Sequence, residues 1–286
     1  MIYLILCIIS ASGIMVVFKI AGNQKLNTFR IIVINYITAS MLGFGLSDIP
    51  SGGVIDFQWI PMAIIIGILF IIMFFVIALS TQKAGIAVTS VATKMSVVIP
   101  ISFSIIYFNE EVNILKISGI ILAVFAVFMT SYNKDKAKSR GWIIIALPVI
   151  IFIGSGIIDS LIKYTQEVRL NEQGTVLFSS VLFLVSAITG IIIGLFRKDL
   201  FSRHMLGKTL IAGISLGIVN FGSLYGIIMA LERNIFDSSI VFGINNMGIV
   251  VLSVLIAMVF FDEKLSKLNM AGIFLSILTV TFLSFL

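Results

Sequence analysis

Ten apolar runs, most of them close to the length of a membrane-spanning helix, divide the chain almost from end to end. A helix needs about 20 apolar residues to cross the hydrocarbon core of a bilayer, so each run predicts one crossing. Only TQKAG separates the third run from the fourth, but residues 57–107 are too many for a single pass. The predicted spans are 2–20, 31–47, 58–80, 84–107, 113–132, 142–164, 174–196, 206–230, 236–261 and 268–286.

The balance of apolar and charged residues excludes an ordinary soluble domain. Hydrophobic residues make up 59% of the chain and charged residues 11%, whereas soluble proteins carry about 25% charged residues. We therefore expect an all-α, polytopic membrane protein, with the lipid bilayer as its surroundings. The 19 basic residues outnumber the 13 acidic ones. They lie in short clusters between the apolar runs, which is typical of cytoplasmic loops and gives no indication of nucleic-acid binding.

Two stretches repeat at a constant offset of 153 residues. FNEEVNILKISGIILAVFAV (108–127) and FDEKLSKLNMAGIFLSILTV (261–280) share seven of twenty positions, including Phe-x-Glu and a glycine at the same distance. The repeat predicts two homologous halves, 1–133 and 141–286, with five spans each. Because five is odd, the halves must cross the membrane in opposite directions. Such inverted repeats are common in secondary transporters, which bind substrate near the midplane where the halves meet.

Ten spans in two five-helix halves, with F-x-E-x8-G after the fourth and ninth spans, resemble the drug/metabolite transporter superfamily, EamA type. The resemblance covers the whole chain. It implies an all-helical bundle with a central cavity, and a carrier that exports amino acids, other metabolites or drugs. The chain departs from the family in the loop after the second span, which is usually basic but here reads DIPSGGVID.

Lys94 lies in the middle of the fourth span, within TSVATKMSVVIP. It is about ten residues from either end, or roughly 15 Å along a helix. A central lysine costs on the order of 3 kcal/mol on insertion scales, so it must face a wet cavity or an anionic partner. We interpret Lys94 as a substrate-binding or coupling group. The alternative is a structural ion pair that locks two helices together.

The repeat offset aligns Ala92 and Thr93 with Asn245 and Asn246 of the ninth span. Two amides at this depth are predicted to face Lys94 across the interface between the halves. Amides donate and accept hydrogen bonds, which suits a polar substrate, but they also hold membrane helices together. Tyr36 in the second span is a further candidate for substrate binding, although a single polar residue of this kind more often serves packing.

Asp159 is the acidic residue predicted to lie within a span, near the end of the sixth. Lys163 follows four residues later, on the same helical face. One interpretation is a local ion pair between Asp159 and Lys163 near the membrane surface. The other is that Asp159 partners Lys94 or takes up a proton during transport.

The two glutamates of the repeat, Glu110 and Glu263, each precede a predicted helix, where the helix dipole favours an acid. We interpret them as structural caps, not as catalytic acids. The lone Cys7 forms no intrachain disulfide, and the lone His204 is too little for a metal site. The sequence predicts no metal, no other cofactor and no enzyme, because it lacks a P-loop, an HExxH motif and a nucleophile with a base.

These features favour a secondary carrier of a small metabolite that works by alternating access and draws on a proton gradient or substrate exchange. A membrane channel, a sensor or a non-transporting helical subunit remains the alternative, and the oligomeric state is open.

The distribution of basic residues predicts the orientation. The odd-numbered loops hold fourteen Lys and Arg and the even-numbered loops hold four. The positive-inside rule therefore places the odd loops in the cytoplasm and both termini outside. The family resemblance implies the opposite, with both termini inside.

Overall fold

The computed structural model describes residues 1–47, 58–109, 114–132, 142–169, 175–196, 206–233, 236 and 238–284, and its regular secondary structure over these residues is all helical. The helices are α1 (Ile2–Asn23), α2 (Thr28–Leu46), α3 (Ile60–Lys83), α4 (Ile86–Met95), α5 (Val98–Tyr107), α6 (Ile114–Ser131), α7 (Ile143–Arg169), α8 (Thr175–Leu195), α9 (Leu206–Glu232), α10 (Ser238–Phe261) and α11 (Lys267–Ser284).

Each predicted span coincides with a helix or, in one case, with a pair of helices. In the described part of the chain, nine helical segments are long and apolar enough to cross a membrane, and Lys267–Leu283 is a shorter apolar helix. Large apolar side chains cover the outer surface, among them Ile106 and Phe260, which are 80% and 74% exposed. Water would disfavour so much exposed apolar surface, whereas lipid does not. The chain is therefore an integral membrane protein.

The fourth span differs from the prediction of one helix, because it breaks into α4 and α5 at Ser96 and Val97. Proline at position 100 has no N–H to offer the carbonyl of Ser96, four residues earlier, and its ring crowds that carbonyl. The carbonyl of Ser96 instead accepts a hydrogen bond from the N–H of Ile99 at 2.9 Å, which tightens the turn. Pro148 has no such effect, since α7 continues through it.

Helices at equivalent positions in the predicted repeat pack against each other in an antiparallel arrangement in two cases, α6 with α11 and α2 with α8. Gly119 near the start of α6 faces Leu283 at the end of α11, while Gly272 near the start of α11 faces Thr130 at the end of α6. Close approach at both glycines lets these helices pack tightly along their length. The helices α2 and α8 also run antiparallel, because Ser40 donates a hydrogen bond to the carbonyl of Ser180 and Val33 contacts Gly190.

Both copies of the Phe-x-Glu motif end a helix with the same backbone conformation. Asn109, after α5, and Asp262, after α10, have φ of 52° and 48°, in the left-handed region. Asn and Asp tolerate this region better than most residues, so the middle position of the motif terminates the helix. After α10, the N–H of Glu263 donates to the carbonyl of Ala257 at 3.0 Å and fixes where the glutamate emerges.

Candidate functional site

Lys94 occupies the last turn of α4, immediately before the helix break, and is half-buried. The partial negative charge at the C-terminal end of a helix favours a cation at this position. Among the described residues, its ammonium makes no direct ion pair or hydrogen bond, but it lies within electrostatic range of the carboxylate of Asp159 on α7 and near the thiol of Cys7 on α1. The helix break therefore presents the end of a short helix, with its lysine, to two neighbouring helices.

Asp159 on α7 keeps an accessible surface and lies beside the helix break. The hydroxyl of Ser96, at the helix break, lies 3.5 Å from Oδ2 of Asp159 and 2.6 Å from the carbonyl oxygen of Thr93. Ser96 thus links the broken helix to the carboxylate.

The predicted local pair between Asp159 and Lys163 is not formed. Nζ of Lys163 instead lies 2.5 Å from the hydroxyl of Ser104 and 3.6 Å from a carboxylate oxygen of Glu167, and it sits 5.8 Å from the ring centre of Phe108. Lys163 is drawn towards the end of α5, whereas Asp159 is turned towards Lys94. The geometry therefore favours the second interpretation, in which Asp159 is the partner of Lys94.

The first and ninth spans bring further polar groups to this place. Sγ of Cys7 lies 3.8 Å from the hydroxyl of Ser223 on α9, and the amide of Asn245 on α10 lies beside the same thiol. Asn245 is 5% exposed, and its Oδ1 accepts no hydrogen bond in the described part of the chain. A buried amide oxygen without a donor is costly, so this atom is available to a ligand or to water.

The other two predicted residues lie differently. Asn246 is half-buried and follows Asn245 by about 100° around the helix. Tyr36 is 1% exposed, packs its ring against Phe74 and Phe183, and donates a hydrogen bond to the carbonyl of Phe70 at 3.0 Å. The structure does not bring Tyr36 to the lysine, and its hydroxyl is already satisfied, so its part in substrate binding stays a prediction.

The charged and polar groups that come together are Lys94, Ser96, Asp159, Cys7, Ser223 and Asn245, which we name the central cluster. It combines a cation, a carboxylate, hydroxyls and an unsatisfied amide oxygen, and can hold a small molecule that presents an acceptor to Lys94 and a donor to Asn245. The sequence indicated three of these residues. It did not indicate Ser96, Cys7 or Ser223, because small polar residues and a cysteine are frequent in apolar helices and only tertiary packing shows what they face.

Glu263 caps a helix, but the prediction that it caps the helix that follows it in the chain is wrong: the capped helix is α4, in the first predicted half. Its Oε1 accepts hydrogen bonds from the N–H of Ile86, the first residue of α4, at 2.9 Å and from Nζ of Lys19 at 2.7 Å. The helix that follows Glu263 in the chain begins instead with mutual hydrogen bonds between Ser266 and Asn269. Glu110, the predicted equivalent cap, lies outside the described residues.

No family model matches the chain. The chain is similar to an uncharacterised protein of Haemophilus influenzae, with 27% identity over 295 aligned residues that span all of this chain and 97% of the relative. The similarity thus runs through both predicted halves and is not confined to one of them.

Proposed function

We propose that the protein is a secondary transporter that moves a small polar metabolite across the membrane by alternating access. The observation that carries the proposal is the central cluster. It brings Lys94 and Asp159 within electrostatic range of each other at a broken transmembrane helix. Broken helices that line a polar cavity near the midplane are typical of substrate sites in transporters.

The proposed architecture is an inverted repeat of two five-helix halves, 1–133 and 141–286. It is supported by the antiparallel packing of α6 on α11 and of α2 on α8, and by the matching helix ends at Asn109 and Asp262. Equivalent packings also run in equivalent directions. Gly213 and Gly217 of α9 pack against α2, and these two helices run parallel. Gly67 of α3 packs against α8 and Gly190 of α8 packs against α3, and these two helices also run parallel.

The elements that carry the cluster come from both proposed halves. Lys94 and Cys7 belong to the first half, and Asp159 and Asn245 to the second. A site divided in this way changes its access when the halves move against each other, which is the requirement of alternating access. A substrate that binds Lys94 and also a residue of the second half would stabilise the conformations in which both halves contact it.

The driving force is proposed to be a proton gradient or substrate exchange. The carboxylate of Asp159 keeps an accessible surface and can take up a proton, which would leave Lys94 without its counter-charge. The sequence has no P-loop to support direct use of ATP. Export, rather than uptake, and location in a bacterial inner membrane follow from the resemblance to EamA-type carriers.

The proposal is tested by counterflow in proteoliposomes. A comparison of metabolites in cells that over- and under-produce the protein selects the substrate, and labelled amino acids are the first probes. We expect saturable uptake that is stimulated by unlabelled substrate on the opposite side. Unsaturable flux would indicate a channel, and the absence of any flux would indicate a sensor or a non-transporting subunit.

The same assay tests the role of Lys94. Lys94→Ala should abolish counterflow while the protein still inserts and stays monodisperse, because substrate loses the cation that attracts it. The matched control is Lys208→Ala, which makes the same chemical change at an exposed position near the start of α9. Wild-type rates in Lys94→Ala would show that the lysine is not part of the transport site.

A further inference from the structure

Three elements meet through one carboxylate at the membrane face that carries the connections between α1 and α2, α3 and α4, and α10 and α11. Oε1 of Glu263 binds both Nζ of Lys19, at the end of α1, and the N–H of Ile86, at the start of α4. Lys19 and Ile86 belong to the first proposed half and Glu263 to the second. These contacts therefore join the two halves at one end of the molecule.

The carboxylate is enclosed, so its charge interactions are stronger than those of a surface pair. The side chains of Glu263 and Lys19 are only 6% and 16% exposed. Their attraction is thus little screened by water, unlike that of an exposed ion pair. The partial positive charge at the N-terminal end of α4 adds to the attraction, since α4 begins at the bound N–H.

The backbone around the carboxylate is shaped to receive it. Gly85, the residue before α4, has φ of 118°, a conformation that only glycine adopts readily. A Cβ atom at Gly85 would also collide with the carboxylate of Glu263. On the other side, the left-handed Asp262 turns the chain so that Glu263 points back under α4.

The contact is nevertheless incomplete. Oε2 of Glu263 is buried and accepts no hydrogen bond from the described residues. An unsatisfied buried oxygen offsets part of the gain from the ion pair, so the net stability of the contact is smaller than that of a fully bonded carboxylate. Separation of the halves at this face would let water reach Oε2, which lowers the cost of opening.

We propose that Lys19, Glu263 and the N–H of Ile86 form a latch that keeps this face of the transporter closed in the described conformation and opens when the halves move. The inference rests on the proposed alternating access. It explains why the glutamate of the second repeat caps a helix of the first half: a cap within its own half would not respond to movement between the halves.

The chain contains its own reporter for the latch. Cys7 is the single cysteine, is 1% exposed and belongs to the central cluster. If the latch closes the path from its face to the central cluster, a membrane-impermeant thiol reagent added from that face should reach Cys7 faster when the latch opens. The rate of labelling from that face, measured in sealed vesicles of each orientation, therefore reports opening without substrate and without transport.

We expect slow labelling of the wild-type protein from the latch face and at least several-fold faster labelling of Glu263→Gln and Lys19→Gln. Glutamine at 263 keeps an acceptor for Ile86 and removes only the charge. Lys19→Arg should restore the slow rate, and Lys264→Gln is the matched control, because Lys264 is an exposed neighbour of Glu263 outside the latch. Cys7→Ser gives the background.

Unchanged labelling in both glutamine variants, with a monodisperse protein, would overturn the latch. This outcome is separate from a failure of the proposed function. Faster labelling in a protein without counterflow would support a latch in a non-transporting protein, whereas wild-type counterflow with unchanged labelling would leave the transporter and remove the latch. If Glu263→Gln does not fold, Lys19→Gln and Lys19→Arg decide the question alone.

Discussion

At the scale of the residue, the central question is how a membrane interior holds a lysine and an aspartate. Lys94 and Asp159 interact at a distance instead of forming a direct ion pair. A tight pair would satisfy both charges but would leave them nothing to offer a substrate. A separated pair with an accessible carboxylate keeps both groups available, and the end of α4 compensates part of the charge of the lysine.

This arrangement predicts that the two charges are coupled energetically. Asp159→Asn leaves a cation without its partner, and Lys94→Met leaves a carboxylate without its partner, so each single change should destabilise the protein. The double variant should be less destabilised than the sum, with a coupling on the order of 1 kcal/mol, the usual range for interacting neighbours. Chemical unfolding of all four proteins in mixed micelles measures it, and strict additivity would contradict the partnership.

The sequence identified the charged members of the cluster because charge is rare and costly in an apolar span. It did not decide between Lys163 and Lys94 as the partner of Asp159, since helical spacing favours the nearer lysine. The structure turns Lys163 towards Ser104 and Glu167. That outcome depends on how α5 and α7 pack, which the pattern of a single helix does not contain.

At the scale of the element, the break between α4 and α5 positions the cluster. Length and hydropathy predicted the outer limits of the spans well, because the thickness of the bilayer sets them. The break is a local effect of Pro100 on the carbonyl of Ser96, and a proline alone does not predict it, since α7 continues through Pro148. At Pro100, the freed carbonyl of Ser96 finds another donor in the N–H of Ile99, which closes a tighter turn at the break.

Pro100→Ala should therefore straighten the fourth span. The new N–H can bond the carbonyl of Ser96, so thermal stability should stay equal or rise, while Lys94 and Ser96 turn away from Asp159. We expect counterflow to fall about tenfold, which corresponds to about 1.4 kcal/mol in activation free energy. Pro148→Ala is the matched control and should change transport little. Full activity in Pro100→Ala would show that the site does not need the break.

The glycines of the repeat give a second prediction at this scale, because their surroundings differ. A Cβ atom on Gly272 would lie 2.7 Å from the backbone nitrogen of Thr130, whereas one on Gly119 would meet the flexible end of Leu283. Backbone cannot move aside as a side-chain end can. Gly272→Ala should thus cost about 1–3 kcal/mol of stability, while Gly119→Ala should be nearly neutral.

Gly207→Ala is the control for this pair, since a Cβ atom there meets nothing within 4 Å. It should be neutral or stabilising, because alanine favours helix over glycine by about 1 kcal/mol. Thermal unfolding in detergent compares the three variants with the wild type. Equal losses at Gly119 and Gly272 would mean that the two ends of the α6–α11 contact pack alike.

At the scale of the whole molecule, the orientation of the chain in the membrane decides which face the proposed latch closes. The latch lies on the face of the odd-numbered loops, which hold fourteen of the basic residues, whereas the even-numbered loops hold four. The positive-inside rule makes this the cytoplasmic face. The described conformation would then be closed towards the cytoplasm, and the family resemblance would reverse that assignment.

A reporter fused to the C-terminus distinguishes the two orientations, because ten crossings place both termini on the face opposite the latch. From the charge count we expect alkaline phosphatase, which is active outside, to be active there, and green fluorescent protein, which folds inside, to be dark. A fusion after Gly141, behind five crossings, should give the reverse pair of signals and checks both reporters. Fluorescence at the C-terminus with a dark fusion at Gly141 would place the latch outside, so that its opening would release substrate from the cell instead of admitting it from the cytoplasm.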